Sequence, residues 1–292
     1  MTSTPLRSSD SAVRALTDDG AFRVIAIETT ATVRDAIHKQ AASGVTARHF
    51  AELITGAVLV RETMAPTLRV QGILKGTGGK GSLVADSHPD GTTRGLVQLK
   101  STASLELGEG ALLQMMRTLP NGALHQGVVA LPPGGGISAG LMAYMQQSEQ
   151  VVSVVAVAAL PPPVAGSAAV ALAGGYIVQL LPGAESEAVS EMIEKLEALP
   201  PVDALLRREG FSPRALLGWV LGEAPYAIVE ERPVAFGCNC SHERLLASLA
   251  TLDRGEVVEM VDDGKMLEIT CDYCGEEYRI SPEQLRGLVS QS

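Results

Sequence analysis

All four cysteines of this 292-residue chain fall in its last fifth, as Cys238-Asn239-Cys240 and Cys271-Asp272-Tyr273-Cys274. No other feature constrains the fold as tightly. The segment from Val234 onward, roughly 60 residues, carries too little apolar mass for a secure core and needs a staple. Four thiolates in two close pairs suit tetrahedral zinc, and Cys271-x-x-Cys274 followed by Gly275 has zinc-knuckle spacing. Folding around zinc supplies about 10–16 kcal/mol of apparent binding energy. That exceeds the roughly 5–15 kcal/mol net stability of a whole domain. Staple and metal site are therefore read as one thing, with one zinc per chain. His242 could replace one ligand, but with four cysteines at hand it reads as a surface residue in the first turn of a helix. The first pair is unusual, because ordinary zinc ribbons leave two or more residues between paired cysteines. Two thiols separated by one residue can also oxidise to a strained disulfide of the labile, regulatory kind.

Composition narrows the class. Formal net charge is −10, with 33 acids against 23 bases, which argues against broad nucleic-acid binding. The N-terminal twenty residues are polar and contain no apolar signal core. The most apolar stretch, Val151 to Leu181, is split by Pro161, Pro162 and Pro163. Its "VVSVVAVAAL" is half of the ~20 residues a membrane-spanning helix needs. The expectation is a cytoplasmic protein without a membrane partner. In a reducing cytosol, paired cysteines point to metal or redox chemistry rather than structural disulfides.

Patterning predicts an α+β fold: a large mixed α/β core domain (1–182), an amphipathic helical linker (183–233) and a small C-terminal zinc-binding domain (234–292). "FRVIAIETT" reads as a strand, followed by helices over "TVRDAIHKQAAS" and over "TARHFAELITGAVLVRETM", the second capped by Thr46. Five strands follow, with a hairpin turn at Asp90-Gly91. A helix capped by Ser138 and two apolar strands, "VVSVVAVAAL" and "GGYIVQLL", complete the core. In the linker, Val189, Met192, Ile193, Leu196 and Leu199 line one helical face with acids opposite. Ser212-Pro213 opens a second short helix carrying Leu216, Leu217 and Trp219. Such short helices need a surface to lie on. In the terminal segment, Ser241 caps a helix, two strands flank "CDYCG", and Ser281 with Gln284 forms a capping box.

The cysteine pattern resembles that of the redox-regulated 33 kDa chaperonin family, the heat-shock holdases: C-x-C, a spacer near thirty residues, then C-x-x-C. "YMQQSEQ" (Tyr144 to Gln150) is similar to the family's Y-x-x-x-S-E-Q segment, and "GGYIVQLLPGA" to the closing strand of its core. "GSLVADSHPDGTTRG" resembles its hairpin. "KGTGGKG" departs from the family's acidic turn, and the residues before Ala15 are unmatched. The resemblance implies an ATP-independent chaperone, not an enzyme, that dimerises when oxidised and binds unfolding client proteins. It implies zinc on Cys238, Cys240, Cys271 and Cys274 in the reduced state, and disulfides Cys238–Cys240 and Cys271–Cys274 on oxidation. Loss of zinc would melt the terminal domain, then the linker, baring Val189, Met192, Ile193, Leu196, Leu216, Leu217 and Trp219 to clients.

Two rival readings start from the same residues. A zinc-ribbon nucleic-acid-binding regulator has only Arg244, Arg254, Lys265, Arg279 and Arg286 near the cysteines, outnumbered by acids. A thiol oxidoreductase would place Cys271-x-x-Cys274 before a helix, whereas a strand is expected there. Gly76, Gly78 and Gly81 match G-x-G-x-x-G but precede a strand. The five histidines (His38, His49, His88, His125, His242) form no catalytic pattern.

Overall fold

Strand pairing in the computed structural model begins before the first strand expected from the sequence. Described are residues 10–100, 104–119, 122–162 and 169–290; residues 1–9 and Pro163 lie outside them. Strand β1 (Ser11–Thr17) pairs antiparallel with β2 (Phe22–Glu28). Asp10, just ahead of it, is buried and accepts hydrogen bonds from the Ala31 and Thr32 amides and the Thr32 hydroxyl. These groups open helix α1 (Thr30–Gln40), so a distant carboxylate satisfies its first N–H donors. The sequence before Ala15 thus contributes both a strand and a helix anchor.

The chain divides into two compact units, meeting between Gly237 and Cys238. The first contains α2 (Gly44–Glu62), β3 (Val70–Lys75), β4 (Ser82–Ser87), β5 (Thr92–Gln98), β6 (Leu112–Thr118), β7 (Leu124–Ala130), α3 (Gly136–Tyr144), β8 (Ser153–Leu160) and β9 (Leu172–Leu180). It continues through α4 (Ser186–Ala198), α5 (Val202–Leu206), α6 (Pro213–Leu221), β10 (Tyr226–Pro233) and β11 (Ala235–Phe236). Two sheets form, in the orders β10-β1-β2-β9-β8 and β11-β5-β4-β3-β6-β7. All pairs are antiparallel except β11 with β5. The mixed α/β architecture matches the expected fold class.

Helix α2 explains how the sheets share a core. Phe50, Leu53, Ile54, Ala57 and Leu59 are fully buried, and the helix packs against strands of both sheets. A helix apolar on every side is one that other elements enclose. Ile25, Ile27 and Ile177 of one sheet and Leu74, Leu83, Leu113 and Met115 of the other complete the cluster. Each such side chain contributes about 1.5–3 kcal/mol by leaving water.

A second apolar cluster lies on the other face of the five-stranded sheet. Val13, Ala15, Val24, Ala26, Tyr176 and Val178 meet Met192 of α4, Leu205 of α5, and Leu216, Leu217, Val220 and Leu221 of α6. The short helices therefore have the surface they need.

Several local expectations are corrected. Thr46 is not a cap: α2 starts at Gly44, and the Thr46 hydroxyl accepts the Leu105 amide at 3.1 Å. Ser138 lies within α3, and its hydroxyl accepts the Val157 amide at 3.0 Å. Residues 226–233, expected within a helical linker, form β10 beside β1. The glycine-rich "GTGGKG" makes a single 3-10 turn, Thr77–Gly79, leading into β4. No helix among the described residues is long and apolar enough to cross a membrane.

On the six-stranded sheet, Asp86 is completely buried among Arg69, Arg94 and the His88 ring, with Nε-to-carboxylate distances of 2.5, 3.0 and 3.3 Å. Burial alone would raise its pKa. Hydrogen bonds and charge from His88 and Arg69 outweigh that and hold it far below the carboxylate range. A depressed folded pKa gives stability that is present above the unfolded value, about 3.9, and lost as pH falls below it. Asp86→Asn is expected to cost about 1.5–3 kcal/mol at neutral pH, because the partly buried Arg69 and Arg94 lose the charge of their shared carboxylate. Urea unfolding at a series of pH values should show the gap to the parent narrowing below about pH 4.

Candidate metal centre

The terminal unit is built from short elements with strong end signals. The Ser241 hydroxyl accepts the Arg244 amide at 3.2 Å and caps α7 (His242–Leu249). Asp253 caps α8 (Arg254–Asp262) through the Gly255 amide at 2.8 Å. Strands β12 (Leu267–Thr270) and β13 (Glu277–Ile280) pair antiparallel, with Thr270 opposite Glu277. The capping box of α9 (Pro282–Ser290) is complete: Ser281 N–H donates to Gln284 Oε1 at 2.9 Å, and Gln284 N–H to Ser281 Oγ at 3.3 Å. Among the described residues, only Leu249, Val257, Ile280 and Leu285 of this unit are buried apolar side chains. So small a core leaves the unit dependent on another source of stability.

The cysteines converge beside that core. Cys238 and Cys240 lead into α7; Cys271 follows β12, and Cys274 sits in the turn before β13. That turn is closed by the Gly275 amide donating to the Cys271 carbonyl at 2.8 Å, and the Cys271 amide donating to the Glu276 carbonyl at 2.8 Å. Gly275 has φ of 75°, the left-handed conformation glycine adopts without a Cβ penalty. Cys238 Sγ lies 3.8 Å from Cys271 Sγ, Cys240 Sγ lies 3.4 Å from Cys274 Sγ, and all four sulfurs fall within 4.8 Å of one another. These separations are too long for disulfides, whose sulfurs stand about 2.05 Å apart. Four sulfurs about 2.3 Å from a shared zinc would stand about 3.8 Å from each other. The donor set and its spacing therefore fit a tetrahedral metal ion.

Electrostatics point the same way. Burial raises the Cys240 and Cys274 thiols, and the neighbouring sulfurs raise Cys274 further. Thiols crowded like this ionise together only around a compensating cation. The Tyr278 hydroxyl hydrogen-bonds Cys240, and that contact, with burial, pushes the phenol up. Sequence reasoning missed Tyr278. The available signal is the strand alternation of "EYRI", which sets Tyr278 on the same face as buried Ile280. His242 is outside the sulfur cluster; its Nε2 lies 3.5 Å from Gln284 Nε2.

The linker residues are in the first unit. Met192, Leu216 and Leu217 are buried, and Val189, Leu196 and Trp219 are half-buried against the same cluster. Arg208 stacks over the Trp219 ring at 5.2 Å. Ile193 is 51% exposed, so the buried stripe of α4 runs through Val189, Met192 and Leu196 and leaves it outside.

Fold and site together define a protein with a two-sheet α/β unit, followed by a small unit gathered around four sulfurs that could hold a metal ion. The family model for Hsp33 protein matches residues 10–281, and the chain belongs to that family. The 33 kDa chaperonin of Thermus thermophilus is 33% identical over 298 residues, spanning 96% of this chain and 86% of that one. The 33 kDa chaperonin of Levilactobacillus brevis is 29% identical over 297 residues, spanning 97% and 99%. The crystal structure of the 33 kDa chaperonin (heat shock protein 33 homologue) from Thermotoga maritima superposes with a TM-score of 0.79 at 24% identity, over 97% of this chain and 99% of that one. The chain is accordingly a chaperone.

Proposed function

We propose that this chaperone is an ATP-independent holdase switched by oxidation of a four-cysteine zinc centre. The convergence of the four sulfurs within 4.8 Å carries the reading. In the reduced state Cys238, Cys240, Cys271 and Cys274 would hold one Zn²⁺, whose chemistry is to fix four thiolates and the segments that carry them. The site residues divide into a metal-binding set and, in α4 and α6, a client-binding set. The domains we propose are a core (1–182), a linker (183–233) and a redox-switch domain (234–292), whose compact part starts at Cys238, since β11 (Ala235–Phe236) pairs with β5 of the first unit.

Thiolates react with hypochlorite. Two of them and one HOCl give a disulfide, chloride and hydroxide, so the sulfurs are oxidised and the chlorine is reduced. Cys238 with Cys240, and Cys271 with Cys274, are the proposed partners. The family resemblance supports this pairing. Each disulfide withdraws two ligands, and the site can no longer hold its metal. The small unit then loses its main source of stability and unfolds. Helices α4 to α6 follow, baring Met192, Leu216, Leu217, Val189, Leu196 and Trp219, with Ile193 beside them. Unfolding clients bind there by apolar burial, and the oxidised protein acts as a homodimer. The net charge of −10 keeps the loaded complex dispersed.

Metal analysis tests the ligand set. The reduced protein should carry one zinc per chain, and Cys271→Ser should lose tight binding, with occupancy falling by about tenfold or more. Unchanged zinc content in that variant would refute the four-sulfur assignment.

A further inference from the structure

The segment Tyr144 to Gln150 takes no part in the switch, yet its backbone is unusual. After α3 the chain makes a π-helical turn, Met145–Glu149, ended by Gln150 at φ of 57°. Such turns are rare and recur at functional sites, as do non-glycine residues held in the left-handed region. This turn places Met145 and Glu149 on a cleft of about 200 Å³ that also has Arg23, Met64, Arg117 and Gln179 on its walls.

The charges in the cleft do not balance. Arg117 Nε donates to Glu149 Oε1 at 3.1 Å, and the Tyr144 hydroxyl donates to the same oxygen at 2.5 Å. Arg23 has no carboxylate partner among the described residues. Its Nε and one terminal nitrogen donate to Gln179 Oε1 at 2.8 and 2.5 Å, and Gln179 is 1% exposed. Burial, then the nearby charge of Arg14, lowers the Arg23 pKa. A half-buried cation given only a neutral partner is costly. The arrangement gains from an anion, and a guanidinium prefers a planar carboxylate. The two methionines make the walls beside it apolar and adaptable. The volume lies below the roughly 300–1,000 Å³ of drug-sized sites, so the ligand is about the size of one residue.

We propose that this cleft binds a carboxylate borne on a small apolar group, with Arg23 as its main ion partner, Arg117 as the second, and Met64 and Met145 against the apolar part. Two sources share that chemistry: the C-terminal residue of a peptide chain, and a free aliphatic acid. Ligand-detected NMR titrations of the reduced full-length protein with N-acetyl-L-leucine, 4-methylpentanoate and N-acetyl-L-leucinamide test it. At least one acid should bind saturably, and the amide about tenfold more weakly or not at all. A preference for N-acetyl-L-leucine identifies a chain terminus, and equal binding of the two acids a free carboxylate. Arg23→Gln should weaken binding about tenfold. Met64→Glu, at a partly exposed position, should abolish it by placing a carboxylate in the cleft, while Met64→Leu retains it. Amide binding as tight as acid binding, no saturable binding of either acid, or full affinity in Met64→Glu would overturn the proposal.

Discussion

Treating the zinc-loaded, reduced protein with hypochlorite at mildly elevated temperature should release one zinc per chain and switch on suppression of client aggregation. Dithiothreitol with added zinc should reverse both changes. The effect is large because the terminal unit has so little else to hold it. Among the described residues its buried apolar side chains are Leu249, Val257, Ile280 and Leu285, each contributing about 1.5–3 kcal/mol. Zinc contributes about 10–16 kcal/mol in comparable small modules, enough to decide whether the unit folds. Heat adds to oxidation because the linker helices must also leave their sheet. Light scattering of a thermally unfolding client, with a chromogenic zinc chelator read in parallel, checks the prediction. Equal suppression by reduced and oxidised protein would remove the regulatory claim.

Weakening the linker without touching the cysteines should produce the active state by another route. Leu217 is fully buried between α6 and the five-stranded sheet. Leu217→Ala should destabilise that contact by about 2–5 kcal/mol, which favours the open linker by at least roughly thirtyfold. The variant should suppress aggregation while reduced and still carry its zinc. Ile193→Ala is the matched control. Ile193 is half-exposed, so its truncation should leave the reduced state inactive. A Leu217→Ala protein that is destabilised in urea but inactive as a chaperone would show that α6 does not cover the client surface.

These residues also show how far the sequence could be read. The helix caps and the cysteine turn of the terminal unit were legible, because their signals are local. Ser241, Ser281 and Gln284 make the hydrogen bonds their spacing announces, and Gly275 closes the knuckle turn. The stripe on α4 was legible as a period, but a period cannot say where the stripe ends, and Ile193 fell on the solvent side. What escaped was set by distant partners. Strand β10 pairs with β1 across more than two hundred residues of sequence, from Ser11 opposite Pro233 to Thr17 opposite Tyr226. Asp10 anchors a helix twenty-one residues away. Thr46 and Ser138 have the chemistry of caps, yet tertiary partners, the Leu105 and Val157 amides, claim their hydroxyls. A side chain that can cap a helix can equally satisfy an amide from elsewhere. Helix α8 was missed because "RGEVVEMVD" carries Gly255 and three β-branched valines, residues of low helix propensity.

The central claim is that a metal ion holds residues 238–292 together. Amide hydrogen exchange of that segment, compared between the reduced zinc-loaded protein and the oxidised metal-free protein, tests it most directly. The account predicts slow exchange in β12, β13 and α9 in the first state and near-random-coil exchange throughout the segment in the second, with α4 to α6 losing protection as well. Slow exchange that persists in the terminal unit once its sulfurs are oxidised and its metal is gone would contradict it.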